Sequence, residues 1–174
     1  MAANAVRTRR AYFDCRFGQL HVRTAFPTTG GFDEQVTLFC LHSAQNSSRA
    51  FARFLPEIGD VRSVYAPDLP GLGESDPSLA ASASEAAGAM SDLANDLRLR
   101  QIDVLGMHTG ALVAIELAAL RPELVRRLVL VVLPGSDRLP APKQQSLVIA
   151  EQAGDLFDAA AKPLAQQIGA FLTA

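Results

Sequence analysis

At 174 residues, 49% hydrophobic and 20% charged, the chain is long enough to form one globular domain with a real core. Sixteen basic and 18 acidic side chains leave a net charge of −2, which gives no broad footprint for nucleic acid and no basic helix for a membrane surface. No apolar run reaches the ~18 residues of a bilayer span, the first residues lack the apolar core of a secretory signal, and Cys15 and Cys40 make neither a CxxC pair nor a disulfide framework; the expectation is a soluble, cytoplasmic protein.

Residues 1–10 are expected to be a disordered tail. Ala11 to Phe17 and Leu20 to Phe26, on either side of Gly18-Gln19, predict an antiparallel hairpin. Gln35 to Leu41 is nearly all apolar, as a strand buried on both faces should be. A helix is expected from about Ser48 to Leu55, capped by Ser47 or Ser48, and a strand over Val61 to Ala66. Pro67 to Gly73 then breaks regular structure. Ser82 and Glu85 have capping-box spacing and open a helix to about Leu99. Ile102 to Gly106 reads as a short strand, and Thr109 to Leu120 as a helix apolar around most of its circumference. A β-branched strand lies within Leu124 to Leu133, a loop over 134–145, and a last strand over Ser146 to Ala150. Pro163 fits the first turn of a closing helix whose Leu164, Ile168, Phe171 and Leu172 share one face. The alternation of short strands and longer helices predicts a single α/β domain over 1–174, with a mainly parallel, doubly wound sheet and an N-terminal antiparallel hairpin.

Gly106-Met107-His108-Thr109-Gly110 joins a buried strand to a buried helix. So short a turn strains the backbone of its central residue, and the positions two before and two after must be small. The geometry lifts His108 above the carboxyl end of the strand and aims the Thr109 N–H at whatever the imidazole attacks. Open α/β sheets take their ligands at this edge.

With these residues in view the chain resembles the α/β-hydrolase family. Leu38 to Ser43 looks like the family's strand ending in His-Gly; Ala66 to Ser75 is similar to its D-x-x-G-x-G-x-S turn; Val104 to Gly110 resembles its nucleophile elbow; and Arg121 to Leu130 resembles the helix-to-strand passage that follows. The resemblance implies a second oxyanion donor at the Ala44 N–H, after the His42-Ser43 pair, with His42 holding that loop and Asp68 bracing the turn below it. It also implies an acid after a late strand: Gly135-Ser136-Asp137 looks like the family's acid-bearing turn. Ala153 to Phe157 resembles the segment that holds the family's catalytic His, with Asp155 in its place.

His21, His42 and His108 are the three histidines, so these residues do not assemble a Ser–His–Asp triad. His108 stands where the family carries its nucleophile, and the short 134–145 loop implies a cap that is absent or greatly reduced. The leading expectation is a hydrolase acting on an ester or similar small-molecule bond, with His108 as base or covalent acceptor, Asp137 or Asp155 as orienting acid, and Ala44, Thr109, His42 and Ser43 around the oxyanion. The alternatives are a catalytically inactive binding or interaction protein on this scaffold, or an incomplete hydrolase chain. No cofactor, metal or nucleic-acid partner is expected; an unpaired sheet edge near Ser146 would invite homo-oligomers. His21, alternating with apolar neighbours on the hairpin, reads as a surface residue, Cys40 as an inert core thiol and Glu116 as a snorkelling or paired charge.

Overall fold

Thr37–Leu41 (β3) and Ile102–Met107 (β5) are buried at every residue and lie side by side at the centre of the sheet. The computed structural model describes residues 6–28, 35–78, 82–134, 139–151 and 156–174. With Val6–Cys15 (β1), Gly18–Pro27 (β2), Val64–Pro67 (β4), Val125–Val132 (β6) and Gln145–Ala150 (β7), the strand order is β1-β2-β4-β3-β5-β6-β7. β1–β2 and β2–β4 pair antiparallel; the other pairs are parallel. Strands that are wholly apolar need cover on both faces. Ala83–Asp96 (α2) and Thr109–Leu120 (α3) supply it on one side, with Phe39, Leu41, Val104 and Leu130 beneath them. Phe54–Ile58 (α1), Leu156–Ala159 (α4) and Ala161–Thr173 (α5) supply it on the other, over Leu38, Cys40, Leu105 and Val129. Among the described residues no helix is long and apolar enough to cross a membrane.

The Ser82–Glu85 capping box is made in both directions. On α5, Leu164, Ile168 and Leu172 are buried with Phe171 partly so. Four expectations shift. β1 starts at Val6, so residues 6–10 are strand rather than tail, and 1–5 lie outside the described residues. The hairpin turns at Arg16-Phe17, since Cys15 faces Gly18 in register. Gly18 instead has φ +108°, and any Cβ there would run into the Asp76 carboxylate, which accepts from the Gln19 N–H. The helix expected over 48–55 splits into a 3-10 turn at Ser48–Phe51 and α1. Pro56 is the physical reason: it has no N–H to give Ala52, so it is tolerated only in a first helical turn, which α1 provides. β4 begins at Val64 rather than Val61, which is exposed.

Residues 133–144 carry the chain from β6 to the parallel β7. Returning along the six-residue β7 spans about 20 Å, and a dozen extended residues reach about 40 Å, so the connection is long enough for the parallel return. Gln144 Nε2 donates to the Ala118 carbonyl at 3.1 Å, fixing the end of this connection against α3. β7 is an edge strand with Val148 exposed.

Candidate active site

His108 links β5 to α3 with φ 52° and ψ −109°, a conformation that costs a non-glycine residue free energy and persists only where its surroundings enforce it. The surroundings do. Its N–H donates to Val131 O at 2.8 Å, and its carbonyl accepts from Ala111 N at 2.9 Å. A Cβ on Gly106 would meet the Gly110 carbonyl, and one on Gly110 would meet the carbonyls of Leu41 and His42. The bend therefore needs both glycines, and the imidazole stands 24% exposed at the carboxyl edge of the sheet.

Its partner is a residue the sequence reading did not single out. Glu151 follows β7, its N–H donating to Val132 O at 2.9 Å, and its side chain is only 3% exposed. Oε1 accepts from Leu156 N at 2.9 Å. Oε2 is buried, takes no hydrogen bond, and lies 3.5 Å from Nε2 of His108. Asp137 and Asp155, the two acids expected in this role, lie outside the described residues. The signal for Glu151 was available: it is the first residue past the last strand of the sheet, at the edge where His108 emerges.

The loop after β3 brings Ala44 to the elbow. The Ala44 N–H donates to Oγ1 of Thr109 at 2.5 Å. The Thr109 N–H opens the first turn of α3 and has no acceptor within the helix. His42 is wholly buried; its Nδ1 pairs with Ser43 O at 2.7 Å, and Nε2 accepts from Leu69 N at 2.9 Å. Burial pushes this imidazole down, against the opposing pull of the Ser43 carbonyl and the Asp68 charge, so His42 is a neutral ring proton-bearing at Nδ1. Ser43 is buried and its Oγ accepts from Asn46 Nδ2 at 3.0 Å.

Asp68 braces the same loop from below. It accepts from Ser48 N at 2.6 Å, Glu74 N at 2.8 Å and the ring of His21 at 2.9 Å. Burial raises its carboxyl, but these donors outweigh that and hold it below the ordinary carboxylate value. His21 is thus a correction: it is 1% exposed, not a surface residue. β2 is paired on both sides, Tyr12 lies against the ring at 5.4 Å, and Ser75 Oγ accepts from the His21 N–H. Cys40 is buried and its thiol is pushed up by desolvation, consistent with an inert core position. Glu116 is part-buried on α3. A cavity of ≈ 280 Å³ opens beside the end of β5, lined by Asn46, Arg49, Ala50, Arg53, Met107 and Phe157 among others.

The family model for the alpha/beta hydrolase fold matches residues 36–172. No curated protein matches. Among solved structures, the N-acyl homoserine lactonase AidH, a mutant complexed with N-hexanoyl homoserine, is 29% identical with a TM-score of 0.62, over 71% of this chain and 44% of its own. Naproxen esterase from Bacillus subtilis is 25% identical with a TM-score of 0.64, over 72% of this chain and 43% of its own. Epoxide hydrolase CorEH is 24% identical with a TM-score of 0.63, over 78% of this chain and 47% of its own. The chain spans less than half the length of these relatives. On the extent of the family match, the chain belongs to the α/β-hydrolase fold family.

Proposed function

We propose that the chain is a hydrolase of an ester or similar small-molecule bond, with His108 as general base and Glu151 as the acid that orients it. The observation that carries this reading is the buried, unbonded Oε2 of Glu151 at 3.5 Å from Nε2 of His108. The negative charge there favours the tautomer with its proton on Nε2 and leaves the Nδ1 lone pair for the substrate side. Nδ1 takes the proton of a water as its oxygen bonds to the carbonyl carbon. The developing oxyanion lies against the Thr109 N–H and, once the Thr109 hydroxyl turns aside, the Ala44 N–H. Collapse breaks the carbon–oxygen bond to the leaving group, and Nδ1 returns its proton to the departing alkoxide. Acid and alcohol are the products. The esterase and lactonase among the similar structures support an acyl substrate.

The test is hydrolysis of p-nitrophenyl acetate by the whole chain and by His108→Ala. The variant is expected to lose at least about 100-fold in kcat, the low end of a positioned general base. Equal turnover in the two proteins overturns the assignment.

One observation favours a second reading, binding without turnover: the Ala44 donor is occupied by the Thr109 hydroxyl. Turnover of p-nitrophenyl acetate above the buffer rate separates the two, since a general base at His108 releases product and reversible binding does not.

A further inference from the structure

The β1–β2 hairpin carries positive charge that no ion pair among the described residues balances. Arg7, Arg9 and Arg10 on β1 and Arg23 on β2 enter no ion pair among the described residues, although the whole chain has a net charge of −2. Arg10 stands directly opposite Arg23 in the strand register. Like charges so placed weaken strand pairing. Nε of Arg23 is moreover buried without a hydrogen-bond partner, a state that native donors rarely keep. Charges on an edge strand guard against strand addition, which accounts for β1. It does not account for Arg23, whose strand is paired on both sides.

Beside these residues runs a groove of ≈ 330 Å³, between the hairpin and the 3-10 turn with α1. Thr8, Arg10 and Arg23 line its polar wall, and Ala52, Leu55 and Pro56 its apolar one. We propose that this groove binds a small phosphate ester. The phosphoryl group sits between Arg10 and Arg23, and the carbon portion lies on Leu55 and Pro56. A phosphoryl dianion neutralises both guanidiniums with one group, and its tetrahedral oxygens offer acceptors to two forks and to the Thr8 hydroxyl. Arg23 meets the phosphoryl group through its terminal nitrogens, since its Nε is buried. The groove shares Ala52 with the cavity beside Met107 but contains neither His108 nor Glu151, so the proposal stands apart from the hydrolytic reading.

The test is calorimetric titration of the full chain with inorganic phosphate and with glycerol 3-phosphate at pH 7.5, together with the melting temperature in each. Saturable binding is expected, with a rise in melting temperature that sodium chloride of equal ionic strength does not reproduce. Arg10→Gln, on an exposed side chain, should weaken binding at least fivefold, and Arg23→Lys should do the same with charge kept. Arg100→Gln, a control far along the chain, should leave it unchanged. A response matched by sodium chloride, or equal affinity in Arg10→Gln, overturns the site. Tighter binding of succinate than of phosphate overturns the phosphoryl assignment, as does attachment to phosphatidic acid vesicles without any response to the soluble phosphates.

Discussion

The backbone N–H of Ala44 and the hydroxyl of Thr109, 65 residues apart in sequence, are joined by a 2.5 Å hydrogen bond. In the proposed reaction the hydroxyl oxygen occupies the acceptor position that a substrate oxyanion would take on Ala44. Rotating it away breaks one neutral hydrogen bond before the oxyanion can take its place, at a net cost of about 1 kcal/mol, or roughly fivefold in rate. Thr109→Ala removes that cost and should raise kcat/KM for p-nitrophenyl acetate about fivefold, whereas Thr109→Ser should match the parent. A fall in Thr109→Ala shows instead that the hydroxyl donates to the oxyanion.

Glu151 is predicted to act on rate rather than on binding. Glu151→Gln keeps the shape and an acceptor for the Leu156 N–H, and removes the negative charge that faces Nε2 of His108. With the tautomer no longer fixed and the imidazolium unsupported, kcat should drop about 100-fold with KM changed little. Steady-state kinetics decide it: a rise in KM at constant kcat assigns Glu151 to substrate binding, and no change removes it from the site.

The contrast between His108 and Glu151 shows what a sequence makes legible here. The elbow is readable because its constraint is local: two glycines flank one residue, and the carbonyls that forbid a Cβ belong to the same bend or to the neighbouring strand. The capping box and the central apolar strands are legible for the same reason. Glu151 is not, because its role comes from β7 returning parallel to β6 in a fixed register, Val132 opposite Ala150. Composition does not distinguish Glu151 from Asp137 or Asp155 as the acid at that edge. His21 illustrates the converse. Its hairpin pattern suggests exposure, and it is covered by the loop containing Asp68 and Ser75, about fifty residues downstream.

Acid should weaken the fold through His42 first. Burial depresses this imidazole below its ordinary value of 6.5, so the unfolded chain binds the proton more readily than the folded one. Its contribution to stability is therefore complete above about pH 6.5 and declines as the pH falls below that. The structural cause is that protonating Nε2 abolishes its acceptance from the Leu69 N–H. Asp68, also depressed, adds a loss of the same sign at lower pH, below its ordinary 3.8. Urea midpoints measured at pH 8 and pH 5 should fall in the parent and fall less in His42→Gln. Identical decreases would place the sensitivity elsewhere.

At the opposite edge of the sheet from His108, Asp103 at the start of β5 is fully buried between two guanidiniums. Arg126 holds it with two bonds, 2.9 and 2.6 Å, and also donates to Leu172 O at the end of α5. Arg62, itself 0% exposed, reaches Asp103 at 3.5 Å and Val36 O at 3.3 Å, while its Nε and Nη2 are buried without partners. Burial pushes the Arg62 guanidinium down, and the Asp103 charge opposes that. The two ends of this triad should therefore respond differently. Asp103→Asn strands two cations and should cost about 3–5 kcal/mol in urea denaturation. Arg62→Met removes a cation whose own hydrogen bonding is incomplete and fills similar space with apolar atoms, so its cost should be near zero or negative. If Arg62→Met proves as damaging as Asp103→Asn, the pair Arg62–Asp103 is a mutual dependence, and the two-bond grip of Arg126 does not by itself satisfy the carboxylate.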